Sequence, residues 1–126
     1  MKLESQVCSL DLAKKLKELG VKQDSVLHWH QYGDQPPILK DYPNTHLGWT
    51  SYSAFTVAEL GEMLPPAYSS SRGANNKFMC VNEMKSNSEA GKIRFADTEA
   101  DTRAKMLIYL IENNLLKVVQ TNQSES

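Results

Sequence analysis

Apolar positions along this chain change their period several times, and each change marks an element. Leu12, Leu16 and Leu19 fall at i, i+4 and i+7 with Ala13 beside them, which predicts a helix over Leu10 to Leu19. Ser9 is its natural N-cap, and Gly20 suits the left-handed residue beyond its last turn. From Ser25 to Tyr32 the period becomes two: Leu27, Trp29 and Gln31 alternate with Val26, His28, His30 and Tyr32, which predicts a strand. Gly33-Asp34 and Pro36-Pro37 end it, and Ile38 to Lys40 starts a second, short strand. Tyr42 to Ser53 is rich in aromatic residues without a sustained period and reads as partly extended, partly loop.

Phe55-Thr56-Val57-Ala58-Glu59-Leu60 is the best-specified local signal. Thr56 and Glu59 have capping-box spacing, and Phe55 and Leu60 are placed for a hydrophobic staple. The helix is short, because Pro65-Pro66 cannot continue it. Ser69 to Asn76 reads as a loop by composition. Lys77 to Lys85 and Lys92 to Ala96 alternate again and form an antiparallel hairpin across the polar connection Ser86 to Gly91. Thr98 to Asn113 is the longest predicted helix, with a capping-box variant at Thr98-Glu99-Ala100-Asp101 and a left-handed stop at Asn113-Asn114. Ala100, Ala104, Leu107, Ile108, Ile111 and Leu115 mark its buried face. The order is α-β-(β)-α-β-β-α, an α+β fold with an antiparallel sheet of three to four strands. Residues 1–119 form one domain and 120–126 a polar, frayed tail.

Composition changes this picture little. With 126 residues the chain has the size of one domain that folds without disulfides or metal. A net charge of −1 supplies no field to steer a phosphate backbone, and no apolar run is long enough to span a bilayer. Cys8 and Cys80 show no metal or redox spacing and read as reduced, buried thiols; with no secretory signal at Met1 to Gln6, the expected compartment is the cytoplasm.

Two segments carry a resemblance. Phe55-Thr56-Val57-Ala58-Glu59-Leu60-Gly61-Glu62-Met63-Leu64-Pro65 and the stretch from Ala96-Asp97-Thr98-Glu99-Ala100-Asp101 to Ile111-Glu112-Asn113-Asn114-Leu115, with the Leu10 to Leu19 helix and the Ser25 to Gln31 strand, resemble small proteins of bacteriophages and prophages. The resemblance implies a phage or mobile-element origin in a gut bacterial host. It implies no activity and supplies no catalytic residue.

Candidate chemistry is scattered. His28-Trp29-His30 sets two imidazoles on one strand face, roughly 6–7 Å apart by the rise of two residues. That permits two ligands of one metal, with His46, Cys80, Asp34 or Asp41 as the third. The alternative is that both rings lie on the less buried sheet face beside Tyr32, open to solvent or a partner. There is no GxSxG, no GxxxxGK[ST] and no HExxH. Ser69-Ser70-Ser71-Arg72-Gly73 has the composition of a mobile loop, or of an anion-binding one. The aromatic residues of the irregular segment, Tyr42, Trp49 and Tyr52, are the candidate binding surface, because Tyr and Trp on loops anchor interfaces. The expected function is therefore a phage-type accessory protein acting by contact with a host or phage protein, or with itself as a homodimer, without a cofactor and without a membrane. The rival is a small metal-dependent enzyme built on His28 and His30. A weaker third reading is nucleic-acid binding through Arg72, Lys77, Lys92 and Arg94.

Overall fold

The computed structural model describes residues 3–65, 68–82 and 93–117. After a short 3-10 turn, Leu3–Gln6, the elements are α1 (Leu10–Glu18), β1 (His28–Tyr32), β2 (Ile38–Lys40), β3 (Trp49–Ser53), α2 (Val57–Met63), β4 (Tyr68–Arg72), β5 (Phe78–Asn82), β6 (Arg94–Ala96) and α3 (Glu99–Glu112). The fold is α+β, and its strands divide between two antiparallel three-stranded sheets, ordered β2-β1-β3 and β4-β5-β6.

Local signals account for the helix ends. Gly20, at φ +92°, closes α1: its N–H reaches the Lys17 carbonyl and the Val21 N–H reaches that of Leu16, a Schellman pair. Asn114, at φ +60°, closes α3 in the same way, with Asn114 N–H on Ile111 and Leu115 N–H on Leu110. Thr56 and Glu59 complete both halves of the capping box on α2. Phe55 and Leu60 are both buried, and each contributes roughly 1.5–3 kcal/mol by leaving water. Ser9 departs from expectation. Its side chain makes no cap bond; its backbone N–H instead donates to Asp101 at 2.7 Å, which ties the start of α1 to the start of α3.

One hydrophobic cluster runs from Val7 to Leu110 and draws on both halves of the chain. Within it α3 packs against α1, α2 and all three strands of the second sheet. This explains why its buried set (Ala100, Thr102, Ala104, Met106, Leu107, Ile108, Leu110) is wider than one stripe. Leu115 lies beyond the Asn114 stop and is exposed. Cys8 and Cys80 are free, buried thiols; burial pushes them up to about 12 and about 11, so neither is a nucleophile at neutral pH.

Tyr68–Arg72 is a strand, although its serines read as loop. All five residues pair with β5, Tyr68 opposite Asn82 and Arg72 opposite Phe78. Serine serves here because Ser70 faces α3, where it donates to Glu99 and accepts from Arg103 Nε at 2.7 Å. The connection Ser86 to Gly91 and the tail 120–126 lie outside the described residues. Among the described residues no helix is long and apolar enough to cross a membrane.

Candidate functional site

The first sheet has two unlike faces. Partners across an antiparallel ladder share a face. Trp29 opposite Leu39 and Tyr52 therefore forms one side, and it packs inward: the Trp29 indole N–H donates to the Cys8 carbonyl at 2.9 Å. The other side carries His28 opposite Lys40 and Ser53, His30 opposite Ile38 and Ser51, and Tyr32 opposite Trp49.

The period-two pattern leaves both histidines on an open face, and here the fold corrects it. His28 is 7% and His30 3% exposed. The cover over His30 comes from the strap of residues 41–48 between β2 and β3. The Tyr42 ring meets the His30 ring edge-on with centroids 5.2 Å apart, and Trp49 meets it at 6.4 Å. His30 Nε2 lies 2.6 Å from the Tyr42 carbonyl, which can only accept, so Nε2 carries the proton. Ser51 secures the strap further: its hydroxyl accepts from the Asn44 N–H at 2.6 Å and donates to the Asn44 carbonyl at 3.3 Å. The Asn44 side chain takes the His46 N–H, and the His46 carbonyl takes the Trp49 N–H, which turns the chain into β3. Gly48 completes the turn at φ +89°, and a Cβ there would stand 2.6 Å from Tyr32 Cε1. Only glycine gives both that backbone conformation and room for the Tyr32 ring.

The result is an aromatic face over a buried histidine. Tyr32 packs on Trp49 with centroids 5.2 Å apart. Tyr32 is 44% exposed, Tyr42 52% and Ile38 44%, and Leu47 at the strap's tip is 99% exposed. No described residue pairs with the hydroxyls of Tyr32 and Tyr42 or with the Trp49 indole N–H. Tyr42 and Trp49 are thus brought together, while Tyr52 is not. It lies on the opposite sheet face beneath Lys14 and Lys17, whose ammonium groups stand 5.8 and 5.0 Å from its ring centre. Tyr32, Ile38 and Leu47 join the surface without having been singled out for it. Tyr32 shares the period-two face of His30, but its pairing with Trp49 depends on a register set by the strap.

Glu59 draws this region to α2. Beyond its capping role it accepts from the Ser25 hydroxyl at 2.7 Å and the Val26 N–H at 3.1 Å, fixing the approach to β1. His28 sits nearby and is held below its ordinary 6.5, first by burial and then by His30; a bond to the Ser25 backbone and the Glu59 charge oppose this.

The residues considered for other chemistry lie apart. His46 is on the exposed strap, and among the described residues no three His, Cys, Asp or Glu side chains gather to hold a metal. Arg72 lies over the Phe78 ring, Arg94 over Tyr109, and Lys77 pairs with Asp97, so these cations are engaged within the chain. Lys92 lies outside the described residues. Set against protein-family models, curated proteins and solved structures, the chain finds no match in any of the three.

Proposed function

We propose that this chain is a phage-type accessory protein of the bacterial cytoplasm that acts by docking a partner protein on its aromatic face. The observation that carries this is the contrast between its two tryptophans. Trp29 is buried with its N–H bonded internally, whereas Trp49 is half-buried beside the exposed Tyr32 and Tyr42, and the polar groups of these three side chains have no partner among the described residues. Exposed aromatic residues with an apolar body and a free donor are the side chains that dominate interface energetics. The rings are also set in advance, Tyr32 by Gly48 and Tyr42 by His30, so little order is lost on docking.

The test is capture from host lysate, with light scattering to detect a second copy of the chain as partner. The double variant Tyr42→Ala, Trp49→Ala removes the surface, and retention is expected to fall by about tenfold or more for a hot-spot pair. Unchanged retention by the double variant, or a strict monomer that captures nothing, overturns the proposal. Phage origin is checked separately, by whether the gene lies among structural or replication genes of a prophage.

A further inference from the structure

We infer that the open edge of β4 pairs with the β4 edge of a second copy of this chain, antiparallel and about a two-fold axis at Ser71. The β4-β5-β6 sheets of both copies then join into one sheet of six strands. This surface is separate from the aromatic face and does not rest on the function proposed above.

The two sheets have four edges among the described residues, and three of them are closed. The bond from the Ala54 N–H to the Leu27 carbonyl fixes the phase of the β1–β3 ladder, so Trp49, Ser51 and Ser53 turn their backbone outward. The His46 carbonyl takes the Trp49 N–H, Lys17 Nζ reaches the Ser51 carbonyl, and Gln23 takes the Ser53 N–H. β2 is three residues long behind Pro36-Pro37 and turns only Leu39 outward. β6 is equally short, and Lys105 Nζ reaches the carbonyl of its outward residue, Phe95. β4 carries no such device. The Gly73 N–H bonds the Lys77 carbonyl, so Ser69 and Ser71 turn their backbone toward β5, while Tyr68, Ser70 and Arg72 turn theirs outward. Pro65 takes the Tyr68 N–H. The outward backbone groups of Ser70 and Arg72 have no partner among the described residues. An edge of this length without Pro, Lys or a bulge is a template for another strand.

The chemistry of the edge selects its own copy. Setting Ser70 opposite Arg72 of the second copy, and Arg72 opposite its Ser70, brings every free N–H and C=O of these residues into a bond. The same register places unlike charges together. Arg72 shares the face of Ser70 and lies exposed over the Phe78 ring. Glu99 stands behind Ser70: its Oε2 meets the Ser70 hydroxyl and Arg103, and its Oε1 has no partner among the described residues. Each Arg72 thus comes up beside Glu99 of the other copy, where guanidinium and carboxylate attract. An axis at Ser70 would instead set Arg72 against Tyr68, whose N–H Pro65 already takes, and would strand the Arg72 carbonyl. Cross-strand partners share a face, so both α3 helices lie on one side of the joined sheet and the two Ser71 side chains meet on the other.

Cross-linking decides this, because the axis makes the two Ser71 residues a non-hydrogen-bonded pair, with Cα atoms about 4.5 Å apart and room for a disulfide. Under mild oxidation Ser71→Cys should form a covalent dimer about tenfold or more faster than Thr50→Cys, an exposed position on β3. Cys8 and Cys80 are buried and stay out of the reaction. Arg72→Pro leaves the β4–β5 ladder intact, since the Arg72 N–H points outward, but removes half of the bonds between copies and both charge pairs. Sedimentation equilibrium should show its dimer weakened about tenfold or more. Arg72→Glu keeps the N–H and sets like charges together, and it should weaken the dimer as well. Tyr42→Ala, Trp49→Ala should dimerise as wild type. Should Arg72→Pro not fold, Arg72→Glu and the cross-linking rate decide. A chain that stays monomeric up to millimolar concentration, a Ser71→Cys rate no greater than that of Thr50→Cys, or full dimerisation by a folded Arg72 variant overturns the inference. A dimer lost in Tyr42→Ala, Trp49→Ala belongs to the aromatic face and overturns it too.

Discussion

The two sheets are built alike, each three-stranded and antiparallel, yet they use their rings and charges in opposite ways. In the second sheet Arg72 covers Phe78, Arg94 covers Tyr109, and Arg103 reaches Ser70 and the Val57 carbonyl, so cations and rings meet one another and α3. In the first sheet Tyr42 and Trp49 meet His30 edge-on and Tyr32 packs on Trp49, so ring meets ring and no cation takes part. The difference has a structural origin. The second sheet lies against the longest helix, whereas on the outer face of the first His30 is covered by a strap of its own chain. A surface closed by eight irregular residues can be shaped for contact at little expense to the core.

That contrast can be broken from its foundation upward. Phe55 belongs to the cluster both sheets share, and Phe55→Ala is expected to cost about 3–5 kcal/mol in urea unfolding. Both sheets should lose exchange protection together. If β5 survives while β1 melts, the sheets are separate units and the comparison fails.

A smaller change tests the surface alone. Gly48→Ala forces a methyl toward the Tyr32 ring at a left-handed residue, at a cost of roughly 1–2 kcal/mol. Trp49 emission should shift as its ring partner moves, while Trp29, enclosed in the core, should not respond. Equal changes at both tryptophans would show that the aromatic face is not independent of the core.

The smallest effect is the response to acid, which has opposite signs in two regions. His28 is depressed, so its stabilising contribution is full above 6.5 and is lost as the pH falls through its lower folded value. Asp101, at the α1–α3 junction, is raised by burial despite the bond from Ser9. Its contribution is therefore full below 3.8 and is lost as the pH rises through its folded value. Urea midpoints across pH 4 to 8 should show His28→Gln removing the loss that sets in below 6.5, and Asp101→Asn flattening the acid end. Matching curves for wild type and both variants would sink this assignment.

Much of the fold was legible because its signals are local. A capping box needs only Thr56 and Glu59, and a Schellman stop only Gly20 or Asn114, so spacing along the chain was enough. β4 was not legible, since Tyr-Ser-Ser-Ser-Arg becomes a strand only when β5 and α3 supply partners for its backbone and for Ser70. The candidate site was half legible. Tyr42 and Trp49 stood out as aromatic residues in an irregular stretch, but Tyr52, two strand positions beyond Trp49's neighbour Thr50, fell on the other face with Trp29.

The aromatic face thus separates two kinds of information. Alternation along β1 determined that His28, His30 and Tyr32 point the same way, because a strand's period of two is a property of its own backbone. Whether that side is open or closed was decided only by the tertiary structure. It depends on a strap that crosses β1 and holds His30 through a carbonyl 12 residues away, and no local period encodes a contact between segments that meet only in the folded chain.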